Sequence, residues 1–186
     1  MKGNVSAKML LRMLLFSILI FIFSVNNTFG APPKSPRLFG DPFAYETADL
    51  VVIIKSKRVM FLMKEGKIIK AYRVALGKNP SGKKTSQGDG KTPEGRYYIV
   101  GRNPNSSFYK ALKISYPNEK DIEQASKLHV NPGGGIMIHG LSKKVEYLGK
   151  YHIIDDWTEG CIAVTNEEMD EIWRIVPDGT AVEILP

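Results

Sequence analysis

The chain has 186 residues, a formal net charge of +7, 43% hydrophobic and 24% charged residues, with one cysteine and three histidines. That balance excludes an intrinsically disordered chain, and a single cysteine excludes an intramolecular disulfide framework. One cysteine and three scattered histidines also lack metal-ligand spacing, so no metal and no cofactor is expected.

Residues 1–30 carry the anatomy of a secretory leader. Lys2, Lys8 and Arg12 form a positive n-region, Met13 to Val25 is uncharged, and Thr28-Phe29-Gly30 offers small residues before Ala31. The apolar core is short for a permanent span, which needs roughly 20 residues. Cleavage as a signal peptide and retention as an N-terminal anchor both place the rest of the chain outside the cytoplasm, in the periplasm or cell envelope. Without residues 1–30 the formal charge falls from +7 to +4, an ordinary surface for a soluble domain.

Residues 31–47 contain Pro32, Pro33 and Pro36 and read as an extended linker, which becomes a membrane tether if the leader is retained. From there, turn-separated β-rich runs predict strands at 49–55, 58–63, 68–76, 95–101, 135–139, 161–164 and 180–185. The lysine-rich stretch 78–91 is interrupted by Pro80, Gly82, Gly88 and Gly90 and has no interleaved aromatics. It reads as a solvated loop, with no nucleic-acid partner. Helices are expected near 121–127 and over 166–176, the latter with Asn166 as N-cap and Met169, Ile172, Trp173 and Val176 as its buried stripe. Gly133, Gly134 and Gly135 lack the strand–turn–helix setting of a nucleotide loop and read as a turn.

Cys161 follows Gly160, and His139 lies 22 positions upstream in Ile138-His139-Gly140. An unpaired thiol in an oxidising compartment risks oxidation without structural gain, so it reads as a nucleophile with His139 as its base. His129 and His152 read as loop or surface residues, with His152 the reserve base. The N–H groups of Gly160 and Cys161 are the candidate donors for a tetrahedral oxyanion.

The segments Lys91-Thr92-Pro93-Glu94-Gly95, Pro132 to Gly140 and Asp156-Trp157-Thr158-Glu159-Gly160-Cys161, in this order, resemble the L,D-transpeptidase (YkuD/ErfK-type) catalytic domain over about residues 48–186. The resemblance implies a mainly β, YkuD-like sandwich with one or two short helices in a single domain. It also implies peptidoglycan tetrapeptide stems as substrate. On that pattern Cys161 attacks the carbonyl of the third stem residue, a diamino acid, and His139 is the base, oriented by the Gly140 carbonyl. The acyl group then passes to a second stem, to an envelope-protein amine, or to water, which would make the same site a carboxypeptidase or hydrolase.

Two departures stand out. Glu159 occupies the position of a second family histidine, so any oxyanion role passes to backbone groups or to Thr158, and Glu159 is free to hold an acceptor amine. Ala163 stands where many relatives carry arginine or asparagine. A catalytically silent wall-binding module is the rival of a different class. A papain-like peptidase is disfavoured because such chains place cysteine before histidine. The long gap between His139 and Cys161 is expected to hold an insertion within 141–151 that borders the cleft.

Overall fold

The computed structural model describes residues 46–186; the leader and most of the proline-rich linker lie outside the described residues. Eight strands form the framework: β1 (Leu50–Ile54), β2 (Val59–Lys64), β3 (Lys67–Arg73), β4 (Gly95–Ser106), β5 (Tyr109–Ile114), β6 (Met137–His139), β7 (Ile162–Ala163) and β8 (Ala181–Leu185). Among the described residues two α-helices accompany them, α1 (Glu119–Lys127) and α2 (Asn166–Ile175), with short 3₁₀ segments at Lys55–Lys57 and Glu146–Ile154. The fold is mainly β, as the sequence predicts.

The strand order is β3-β2-β1-β8-β4-β5-β6-β7, with β1–β8 and β6–β7 parallel and the other pairs antiparallel. The twelve-residue β4 bonds to β8 through residues 95–98 and to β5 from Ile99 onward, with register breaks at 99/101 and 103/106. Such irregularities bend a strand, and here they fall where β4 passes from its pairing with β8 to its pairing with β5. The outer edge of β7 is covered by Ala75, which exchanges two backbone bonds with Ala163 at 3.1 and 2.9 Å. Inside, Ile53, Met60, Leu62, Leu76, Ile138, Ile162 and Met169 make one continuous apolar core.

Several boundaries move, each for a local reason. The third strand ends at Arg73, because Ala75 and Gly77 pair with the 158–163 segment instead of continuing along β2. The sequence reading missed β5 altogether, although Ala111, Leu112 and Ile114 are buried and the run pairs with both β4 and β6. Helix α2 is capped by Thr165, not Asn166: the Thr165 side chain accepts from Glu168 N while the Glu168 carboxylate accepts from Thr165 N. Asn166 turns its Oδ1 to Leu141 N at 2.7 Å. Trp173 is only partly buried, and the stripe is Met169, Ile172 and Ile175, followed by Val176. Helix α1 starts earlier than expected, at Glu119, behind an Asn118–Asp121 capping box.

The lysine-rich stretch is held from within. Asp89 accepts from the Lys84 ammonium at 2.7 Å and from the backbone N–H groups of Thr85, Ser86 and Lys91. Burial alone would raise the Asp89 pKa, but Lys84 and those three donors outweigh it and hold it at about 2. Lys55, itself buried, donates to Gly82 O, Thr92 O and Glu94, pinning the two ends of the same loop to the sheet. Because the folded pKa of Asp89 lies below the unfolded one of ~3.9, its contribution is present above pH 4 and fades as pH falls toward 2. Asp89→Asn is therefore expected to destabilise by about 2 kcal/mol at pH 7. Denaturant unfolding across pH should show the difference from wild type shrinking below pH 4.

Candidate active site

The β6–β7 register sets the geometry. Ile138 pairs with Ile162 and His139 with Ala163, and side chains alternate along each strand. The two isoleucines are fully buried in the core. His139 and Ala163 therefore face the other way, and Cys161, two residues before Ala163, shares their face. His139 and Cys161 thus lie on one face of the β6–β7 pair.

Each is oriented by backbone. His139 Nδ1 lies 2.7 Å from Gly140 O. A carbonyl only accepts, so Nδ1 carries the proton and Nε2 keeps its lone pair for the cleft. Gly140 cannot be larger: a Cβ there would stand 2.5 Å from Asn166 Oδ1. The ring is walled by Phe108, centroids 4.7 Å apart, and Trp157, 6.0 Å apart and edge-on. The Cys161 thiol donates to Gly135 O at 3.6 Å and receives the Met137 N–H.

The turn before the thiol spends the groups that the sequence reading assigned to substrate. Gly160 N donates to Thr158 Oγ1 at 3.0 Å, and the Thr158 hydroxyl donates its one proton to Cys161 O at 2.8 Å. The Gly160 N–H and the Thr158 hydroxyl are therefore engaged inside the turn, not presented to an oxyanion. Gly160 has φ +131°, and a Cβ there would meet Lys91 O at 2.6 Å, so glycine is required twice over. Two neighbours lock the turn: Asp156 receives Leu76 N and both Nε and Nη2 of Arg58, while Lys78 N donates to Thr158 O at 2.8 Å. Glu159 points out of the turn to Lys78, Oε1 to Nζ 2.6 Å.

Electrostatics favour a neutral resting pair. Burial raises the Cys161 pKa, against a smaller opposite pull from the Met137 N–H and Lys84. Burial lowers that of His139, the Gly140 contact opposes it, and His152 adds to the lowering. At neutral pH this leaves thiol and imidazole.

The other sequence candidates separate. His129 is exposed, whereas His152 is buried, contrary to its surface reading, with both ring nitrogens lacking a hydrogen-bond partner among the described residues. It sits just past the 141–151 stretch expected to hold an insertion, in the 146–154 segment, and that segment with Phe108 and Trp157 lines a cavity of ≈570 Å³ beside His139. Trp157 flanks the base, and Tyr151 is an exposed wall residue of that cavity. Sequence reasoning missed Phe108, which no motif marks, and the Lys78–Glu159 and Arg58–Asp156 pairs, whose partners are about 80 and 100 residues apart. Among the described residues no cluster of His, Cys, Asp and Glu could hold a metal ion.

A family model described as the L,D-transpeptidase catalytic domain, YkuD, matches residues 48–184, and the chain belongs to that family. It is 31% identical over 179 residues to the Escherichia coli K12 protein named "Putative L,D-transpeptidase YafK", covering 90% of this chain and 62% of that one. Among solved structures, the helical cell shape determining protein Pgp2 of Campylobacter jejuni is similar at 27% identity and TM-score 0.57, over 75% of this chain and 48% of Pgp2. Bd1075 of Bdellovibrio bacteriovorus shares the fold at 22% identity and TM-score 0.52, over 75% of this chain and 48% of its own. The chain thus spans 62% of its curated relative and about half of these structural ones.

Two outcomes are expected. Alkylation of Cys161 in the free protein should rise with pH through an apparent pKa above the ~8.5 of free cysteine; a rate already at its plateau at pH 7 would show a preformed thiolate. Thr158→Val removes the group that satisfies Gly160 N and Cys161 O, and should cost about 1–3 kcal/mol in denaturant unfolding.

Proposed function

We propose that this chain is an exported cysteine acyltransferase that acts on peptidoglycan tetrapeptide stems. The observation that carries the reading is the shared face of Cys161 and His139, with Nδ1 tied to Gly140 O and Nε2 left as base. The leader-like residues 1–30 and the envelope substrate of the family agree with a location outside the cytoplasm.

The reaction runs in two halves. The Cys161 proton passes to His139 Nε2 as Sγ attacks the carbonyl carbon of the third stem residue. The Cys161 N–H, which the Thr158 turn does not use, is the donor for the resulting oxyanion. The C–N bond then breaks, His139 returns the proton to the departing D-alanine amine, and a thioester remains on Cys161. An incoming amine gives up a proton to His139, attacks the thioester, and releases the thiol.

Water in place of the amine gives hydrolysis through the same intermediate, so carboxypeptidase or linkage-cleaving activity shares every residue of this site. An acceptor amine, from a second stem or an envelope protein, must approach from the His139 side, where the cavity lined by Phe108 and Trp157 opens. Against a silent wall-binding module speaks the retention of a thiol at Cys161 and an imidazole at His139 whose Nδ1 is tied to Gly140 O.

Incubation of the full chain with a carbapenem should add one covalent adduct by mass spectrometry, and Cys161→Ala should abolish it. An undiminished adduct in that variant would refute the nucleophile. His139→Ala should slow acylation by on the order of 10²–10⁴-fold, whereas His129→Ala, at an exposed position, should change it little.

A further inference from the structure

We propose that residues 146–154 form a hinged wall of the cavity beside His139, latched shut by neutral His152 and released when that imidazole takes up a proton. The latch is a property of the fold, and its bearing on catalysis rests on the acyl-enzyme reading above.

The segment has one buried residue, and that residue is ionisable. Tyr147, Tyr151 and Ile154 are exposed, Leu148 and Ile153 are half-buried, and His152 is only 4% exposed. Among the described residues, hydrogen bonding to other elements adds the Asn166 amide, which donates to Glu146 at 3.4 Å, and nothing more. A segment held by so few contacts opens locally at small cost. A joint is present as well. At Gly149 two short 3₁₀ turns meet with φ +47° and ψ −126°, a conformation that glycine adopts without strain. The half that carries His152 can turn about that point.

His152 stands between two cavities. On one side it lines the ≈570 Å³ cavity with Phe108, Leu148 and Trp157. On the other it lines a cavity of ≈200 Å³ with Ala71 and Arg73 of β3 and with Thr165 and Glu168 at the start of α2. Both ring nitrogens are buried and without a hydrogen-bond partner among the described residues. A neutral imidazole bears only the loss of its hydrogen bonds there. An imidazolium would bury a charge together with two unmet N–H donors.

The charged groups around the ring do not rescue the cation. Glu168 on α2 and Asp155 just after the segment attract it, while Arg73 on β3, Lys144 and Lys150 repel it, as does a protonated His139 on β6. Neither carboxylate bonds the ring, and Glu168 Oε2 is engaged by Thr165 N at 2.9 Å. Burial therefore outweighs Glu168 and holds the His152 pKa below the usual imidazole range. The closed form thus has a lower pKa than the open form. Closure is complete above the open-form value of about 6.5 and weakens as pH falls below it. Release would uncover Phe108 and Trp157, whose rings wall His139 at 4.7 and 6.0 Å, and so admit water to the flank of the base.

The test is amide hydrogen exchange on the full chain, expressed as protection relative to the intrinsic rate at each pH. Peptides covering 146–154 should lose protection about tenfold between about pH 7.5 and about pH 5.5, as uptake of one proton on opening requires. Peptides from β1 and β8 should keep theirs. In His152→Leu, which takes up no proton, protection of the segment should not vary with pH. Should that variant fail to fold, His152→Gln must show the same flat profile. Constant protection in the wild type, or an equal loss in the folded variant, would overturn the inference. A carbapenem adduct on Cys161 in the same wild-type samples would then leave the acyl-enzyme reading standing. Absence of the adduct beside a pH-dependent segment would overturn that reading and support the latch.

Discussion

Two very short parallel strands hold the site in register. Met137–His139 and Ile162–Ala163 contribute only two paired positions, yet that pairing decides which side chains face the core and which face the cleft. A slip of one residue would bury Cys161 and expose Ile162. So short a ladder cannot fix itself, and its neighbours do so. Ala75 bonds the free edge of β7, Val164 N donates to His139 O, and the buried Ile138 and Ile162 weld the inner face to the core. Asp156 ties the approach to the nucleophile to Leu76 N and Arg58, so the rest of the β-framework positions one thiol against one imidazole.

Backbone polarity does much of the work that side chains do in other thiol sites. The base is oriented by a carbonyl, the thiol rests against another carbonyl and an N–H, and the turn between them is closed on a threonine hydroxyl. Burial then disfavours both the thiolate and the imidazolium. The resulting neutral pair is less exposed to oxidation than a standing thiolate would be, which agrees with the exported location proposed for the chain. The cost of creating charge falls on the chemical step, when the substrate carbonyl is present to accept it.

The cleft has two unlike sides. On the His139 side, the 146–154 segment, Phe108 and Trp157 surround an apolar cavity, and the buried His152 lies within that wall. Elsewhere the charged 78–91 loop, whose Lys78 pairs with Glu159, is braced by the Asp89 and Lys55 contacts.

The sequence by itself determined the family, the mainly β class and the helix positions to within a few residues, and it singled out Cys161 and His139 as the candidate pair. These are legible because they rest on local chemistry: alternating apolar residues, capping signals, a thiol after a glycine, a histidine between an isoleucine and a glycine. The missed β5 has no clean alternation to announce it, since Ala111 and Leu112 are adjacent and both buried. Only the tertiary structure decided the rest. The N-cap passed from Asn166 to Thr165 because Leu141 N claims the Asn166 amide oxygen. The Gly160 N–H and Thr158 hydroxyl turned inward because the turn must satisfy its own buried groups. His152 was drawn into the core-side wall, and Lys78 met Glu159 across 81 positions of chain. Such pairings depend on which loops the sheet brings together, and no periodicity within either segment encodes the partner in the other.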